Sequence, residues 1–210
     1  MKLYIIRHGK TQWNLEGRFQ GASGDSPLLE EAYDDIKQLG QRLARVSFDA
    51  LYSSDLKRAV DTSKALLEQI QAPKEIVYTQ ELREWRLGQL EGAKIATMTA
   101  IYPRQMNAFS HNLDLFNTNQ FGAESLYQTQ KRVTDLITRF KEKDYKNVII
   151  VGHGANLTAS IRSLLGYTPA LIRAEGGLDN ASLTLLETDD CVHFKCLTWN
   201  DKSYLTGNNQ

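Results

Sequence analysis

Two histidines each stand directly after a short apolar run. Leu3-Tyr4-Ile5-Ile6 leads into Arg7-His8-Gly9, and Val148-Ile149-Ile150-Val151 leads into Gly152-His153-Gly154. An imidazole can act as a nucleophile, and an adjacent arginine offers a planar fork matched to a phosphate. Gly9 lets the backbone approach a ligand closely. Thr11, Asn14 and Gln20-Gly21 then supply short polar groups suited to phosphate oxygens. Arg58 follows Ser53-Ser54-Asp55-Leu56-Lys57, in the first turn of a helical pattern. There a cation and a helix N-terminus can serve one anion together. Leu82-Arg83-Glu84-Trp85 places a carboxylate among apolar and aromatic neighbours, a setting that suits a general acid. Taken singly, each has a plainer reading: a satisfied core histidine, a solvated helix arginine, a surface glutamate.

These residues need a scaffold that brings them together. Continuous apolar runs of four residues read as strands buried on both faces of a sheet, and open α/β folds bind ligands at the carboxyl ends of such strands. Apolar positions Leu29, Ala32, Ile36, Leu39, Leu43 and Val46 predict a helix over Leu28 to Val46. Ala50-Leu51-Tyr52 reads as a strand. A second helix follows with Leu56, Val60, Leu67 and Ile70 inward and Ser54 or Asp55 as its cap. Ile76-Val77-Tyr78 is a further strand. A third long helix is expected from Ala123 to Lys141, with Leu126, Val133, Ile137 and Phe140 inward, and another from Leu157 to Leu165. Strands Ser182 to Glu187 and Val192 to Thr198 complete the pattern, and the tail from Asp201 to Gln210 reads as loose.

The alternation predicts an α/β fold, a three-layer α/β/α arrangement around a mainly parallel sheet. Residues 1–210 read as one domain. From about 93 to 122 the strand signal vanishes while Tyr102, Phe109, Phe116 and Phe121 accumulate. This stretch reads as a helical and looped cap inserted at the carboxyl edge, serving either as a lid or as a satellite core.

With 25 basic and 25 acidic residues the formal charge is zero, and no basic stripe of a nucleic-acid binder is present. The first apolar run is too short for a signal peptide or a membrane span, so a cytoplasmic protein with no membrane partner is expected. Cys191 and Cys196, placed in one strand, would face opposite sides and suggest neither a disulfide nor a metal site.

As an ordered set, these segments resemble the histidine phosphatase superfamily, the phosphoglycerate mutase-like proteins. The matching pieces are Arg7-His8-Gly9 with Thr11 and Asn14, Gln20-Gly21, and Ser53-Ser54-Asp55-Leu56-Lys57-Arg58-Ala59 with Thr62. Leu82-Arg83-Glu84 with Glu91-Gly92, Gly122-Ala123-Glu124-Ser125 and Gly152-His153-Gly154 follow in order. The resemblance implies that His8 takes the phosphoryl group as a phosphohistidine. Arg7, Arg58 and a cationic His153 would surround the phosphate, with no metal and no cofactor. Glu84 would protonate the leaving oxygen and then accept a proton from water. Asn14, Gln20, Gly21 and Gly154 would add phosphate contacts, and the partner would be a small phosphorylated metabolite.

The chain departs from that pattern at Lys10, at Leu29 and Ala32, and at Ala123. Leu29 stands where a helix-capping Thr is usual. The interval from Glu84 to His153 is short, and the cap carries only Lys94 and Arg104 as cations. A mutase handling a bisphosphate calls for more positive charge. The resemblance therefore leans to the broad-specificity phosphatase branch, with a cofactor-dependent mutase or a non-catalytic phospholigand-binding module as alternatives. A P-loop fails because Tyr4 occupies the place of its first glycine. A metallohydrolase lacks a carboxylate pair at ligand spacing near His8 and His153.

Overall fold

The computed structural model describes residues 1–71 and 75–205. Strand β1 (Lys2–Arg7) is followed by a one-turn helix α1 (Gln12–Leu15), helix α2 (Glu30–Leu43), strand β2 (Ala50–Ser54), helix α3 (Lys57–Leu67) and strand β3 (Ile76–Thr79). Helices α4 (Ile95–Ile101) and α5 (Pro103–His111) come next, then α6 (Leu126–Thr138), β4 (Asn147–Gly152), α7 (Gly154–Leu164), β5 (Leu183–Glu187) and β6 (Lys195–Asp201). The strand order is β3-β2-β4-β1-β5-β6. The first four are mutually parallel, whereas β5 runs antiparallel to β1 and β6 antiparallel to β5.

The period-two alternation of side chains makes the three layers. Leu3 and Ile5 of β1, with Val148 and Ile150 of β4, meet Val133, Leu136 and Ile137 of α6 and Leu157 and Ile161 of α7. Tyr4, Ile6, Ile149 and Val151 point the other way, onto Ile36 and Leu39 of α2 and Ala59 and Leu66 of α3. β1 and β4 are thus covered on both faces, which is why both read as unbroken apolar runs. Among the described residues no helix is long and apolar enough to cross a membrane.

Several boundaries differ from those expected. α2 begins at Glu30, with Leu29 at the N-cap position and no side-chain cap. Glu30 and Glu31 in the first turn complement the helix dipole instead, and the Leu29 N–H is satisfied by the Lys10 carbonyl. α3 is capped by neither Ser54 nor Asp55. Leu56 occupies its N-cap position without a side-chain cap, and Ser54 Oγ accepts the Leu56 N–H at 3.3 Å. α6 starts three residues later than expected, at Leu126, because Ser125 and Gln128 form a reciprocal capping box. Val192 lies outside β6 and is exposed. Cys191, at a φ of 58°, lies before β6 begins at Lys195, so the two cysteines do not share a strand. Residues 206–210 of the expected loose tail lie outside the described residues.

The stretch from 93 to 122 is helical and looped. Phe109, Phe116 and Phe121 are buried with Trp85, Leu87, Leu90 and Met106 in a third apolar cluster. Ile95 and Phe109 also line the cavity that Arg7 and His8 border. The segment is therefore a satellite core whose inner surface is a cavity wall.

Candidate active site

β1 and β4 are neighbours in register, with Arg7 opposite Gly152. The next residue on each strand is a histidine, and the His8 N–H still donates to the Gly152 carbonyl at 2.9 Å. The two imidazoles consequently lie with ring centroids 5.2 Å apart. His8 is buried, and its Nδ1 lies 2.7 Å from the Gly9 carbonyl oxygen. A carbonyl only accepts, so Nδ1 carries the proton and Nε2 keeps its lone pair. Burial, followed by the charges of Arg58 and Arg7, pushes the His8 pKa well below the ordinary 6.5. At neutral pH His8 is a neutral imidazole.

His153 is fully buried as the residue before α7. Its Nδ1 accepts from Arg58 Nε at 3.1 Å, and its Nε2 is 2.8 Å from Ser54 Oγ. Burial, then Arg58, holds this histidine well below 6.5 as well. His153 is therefore neutral here, and not the cationic imidazole expected from the sequence.

Arg58 is also fully buried. Besides His153 it donates to the carbonyls of Gly24 and Gly21, both at 2.9 Å, and pairs with Asp25 at 3.0 Å. Four of its five N–H groups thus point at protein acceptors, and in this structure it lies behind the cavity. The loop that feeds it is tied down by Glu91, whose carboxylate accepts the N–H groups of Ser23 at 2.7 Å, Gly24 at 3.0 Å and Leu87 at 3.0 Å. Gly21 belongs to that support. Its carbonyl faces Arg58, and a Cβ on it would lie 2.6 Å from Glu91 Oε1 and 2.7 Å from the Trp85 carbonyl.

Glu84 sits at the N-terminus of α7. Its Oε1 accepts the N–H groups of Trp85 and Asn156, both at 2.7 Å, and its Oε2 accepts that of Ala155 at 2.9 Å. The orphan amides that open a helix hold the carboxylate in one place. The loop carrying Glu84 is held in turn by Arg132 of α6. That guanidinium donates to the carbonyls of Glu81 at 2.9 Å and Arg83 at 3.0 Å while gripping both oxygens of Glu124.

Arg7, His8, Asn14, Gln20, Glu84 and Gly154 all line one cavity of about 330 Å³, whereas Arg58, His153 and Gly21 stand behind it. Gly154 has a steric reason to lack a side chain, because a Cβ there would lie 2.9 Å from Arg7 Nε and 3.0 Å from its Cζ. Asn14 Oδ1 receives the Thr11 N–H and the Asn180 side-chain amide, both at 3.1 Å. Gln20 accepts from Thr11 Oγ1 at 2.9 Å. Among the described residues no group of three or more His, Cys, Asp or Glu is arranged to hold a metal ion.

Residues 3–202 match the histidine phosphatase superfamily (branch 1). The chain belongs to that superfamily. The structure of Bacillus stearothermophilus YhfR is similar to it with a TM-score of 0.85 at 27% identity, covering 97% of this chain and 98% of that one. A native mycobacterial glucosyl-3-phosphoglycerate phosphatase is similar with a TM-score of 0.84 at 27% identity, covering 95% and 98%. A 2,3-bisphosphoglycerate-dependent phosphoglycerate mutase of Cytophaga hutchinsonii is 33% identical over 171 residues, 80% of this chain and 78% of that protein. The relatives of this histidine phosphatase superfamily member thus include both phosphatases and mutases.

Four contributors to the site escape sequence reasoning. Glu91 and Arg132 act through backbone groups distant in sequence, and Asn180 reaches the His8 carbonyl at 3.1 Å from the segment before β5. Arg173 lines the cavity from the segment between α7 and β5. Of these only Glu91 falls within a motif. Arg18 and Arg173 both lie outside the cap, so counting cap cations understates the positive charge around the cavity.

Proposed function

We propose that this protein is a metal-independent phosphomonoesterase that works through a phosphohistidine on His8. The observation that carries the reading is the neutral His8, with its Nδ1 proton committed to the Gly9 carbonyl, beside Arg7 in a cavity that Glu84 also lines.

His8 Nε2 attacks phosphorus, and the bond from phosphorus to the ester oxygen breaks. As that bond breaks Glu84 delivers a proton to the departing oxygen, and the resulting carboxylate is held by the amides of Trp85, Ala155 and Asn156. Water then attacks the phosphohistidine and gives a proton to Glu84 as the N–P bond breaks, which returns both residues to the state in which the cycle began. Arg7 offsets charge on the phosphoryl oxygens at close range. Arg58 adds positive potential from behind and orients His153. The guanidinium groups supply the charge stabilisation for which other phosphoryl-transfer enzymes use metal ions.

The test is hydrolysis of an aryl phosphate in EDTA by the intact protein and by His8→Ala. Turnover that survives EDTA and disappears with His8 supports the reading. Loss on EDTA addition overturns metal independence, and turnover by His8→Ala overturns the phosphohistidine. The mutase reading draws support from the Cytophaga relative and from the cavity arginines outside the cap. Isomerisation of a phosphoglycerate without release of phosphate would replace the phosphatase reading with it.

A further inference from the structure

The buried and half-buried arginines of this protein divide by how their charge is met. Arg58 has Asp25, Arg132 has Glu124, and Arg162 has Glu175 together with the rings of Tyr167 and Trp199. Arg7 and Arg173 form no ion pair among the described residues, and in both, as in Arg162, the Nε is buried without a hydrogen-bond partner. Both line the cavity that holds His8 and Glu84. Arg7 stands beside His8, where the transferred phosphoryl group belongs. Arg173 has no part in that chemistry.

Arg173 is held firmly enough to be a recognition group. One of its terminal nitrogens donates to the Phe109 carbonyl at 2.7 Å, and its guanidinium carbon lies 4.2 Å over the Phe109 ring. Ile172, the preceding residue, is buried in the third apolar cluster, which anchors the segment. Burial lowers the Arg173 pKa to about 10, so the group remains a cation at neutral pH. An unpaired cation in such surroundings is costly unless a counter-charge arrives. Glu84 favours its charged form from a distance, but both Glu84 oxygens are already engaged by backbone amides.

We propose that Arg173 is a second anion subsite: the phosphoester that this site takes carries a further anionic group, which pairs with Arg173 while the phosphoryl group lies against Arg7 and His8. This rests on the phosphoryl-transfer reading for the location of the first anion. The Phe109 ring under the guanidinium gives the subsite one apolar wall. The second group is a carboxylate or another phosphate, since both match an arginine fork.

Binding separates this inference from the catalytic one. The ortho-, meta- and para-carboxyphenyl phosphates and plain phenyl phosphate are titrated by calorimetry into the His8→Ala protein, which is expected not to consume them. The best carboxylated ester should bind on the order of 10- to 100-fold more tightly than phenyl phosphate, the range of one charge-assisted contact. Adding Arg173→Met, which keeps an apolar chain against Phe109, should bring that ratio to about 1. Adding Arg173→Lys should retain part of it. Equal binding of all esters to His8→Ala overturns the proposal without any Arg173 variant, as does failure of every ester to bind. A carboxylate preference that survives Arg173→Met overturns it as well. If the wild-type protein hydrolyses none of these esters, the phosphatase reading fails, while the binding ratio still decides the subsite.

Discussion

Arg58 Nε donates to His153 Nδ1 over 3.1 Å, and this contact decides which nitrogen of the imidazole carries the proton. A guanidinium only donates, so Nδ1 is bare and the proton sits on Nε2, facing Ser54 Oγ. Arg58 therefore sets the tautomer of one histidine and, by its charge, helps keep the other neutral.

An ammonium cannot reproduce that arrangement. Lysine at this position lacks the planar fork that reaches Gly21, Gly24, Asp25 and His153 at once. Arg58→Lys should lower kcat/KM for an aryl phosphate by roughly 100-fold, the scale of a ~1 Å misplacement of the groups it positions. Steady-state kinetics showing less than a threefold change would remove Arg58 from the functional account.

Glu84→Gln separates proton donation from packing. Esters with poor leaving groups should slow far more than activated aryl phosphates, because only the former need a proton on the departing oxygen. Uniform slowing would show that Glu84 is not the leaving-group acid. The variant should also melt at lower temperature. A glutamine amide must turn one NH2 toward the backbone donors that now meet two carboxylate oxygens, at about 1–3 kcal/mol.

The glycine that opens α7 leaves room for Arg7. In Gly154→Ala the new methyl would lie within 3.2 Å of three guanidinium atoms. Arg7 should shift, raising KM for phosphate esters and weakening inhibition by inorganic phosphate by about tenfold. An unchanged inhibition constant would mean that Arg7 does not meet the phosphoryl group.

Much of this site was legible before the fold, and the reason lies in the strands. β1 and β4 are buried on both faces, so they read as continuous apolar runs, and the histidines that end them announce the rim of the sheet. Glu84 and Arg58 stood out through ordered motifs. Local pattern gave no access to Arg58 and His153 lying behind the cavity, because that follows from hydrogen bonds spanning 33 to 99 residues. The one-turn helix α1, capped by Thr11 and Asn14, is too short to show periodicity. Arg173 carries no local signal at all, since a single arginine between elements looks like surface.

Both site histidines are buried and held well below 6.5, and this sets a sign for acid stability. As pH falls below about 6.5 the unfolded chain takes up protons that the folded protein refuses, so stability drops until the lowered folded-state values are reached. Each such group contributes a slope of about 1.4 kcal/mol per pH unit in that window. His153→Gln removes one group, so its denaturation midpoint should fall less steeply with acid than that of the wild type. Parallel curves below pH 6.5 would show that His153 is not held neutral.

The ladder between β1 and β4 runs without interruption from Lys2 opposite Asn147 to Arg7 opposite Gly152. Reaction and selectivity therefore evolve on different terms. Deleting a single residue from either strand would turn its histidine to the opposite face of the sheet, so the spacing of the imidazoles is inherited whole or lost. Arg18, Ile95, Phe109 and Arg173 come from segments outside the ladder. A lineage can exchange those walls one at a time and change which ester enters, while the pair of rings beneath never moves.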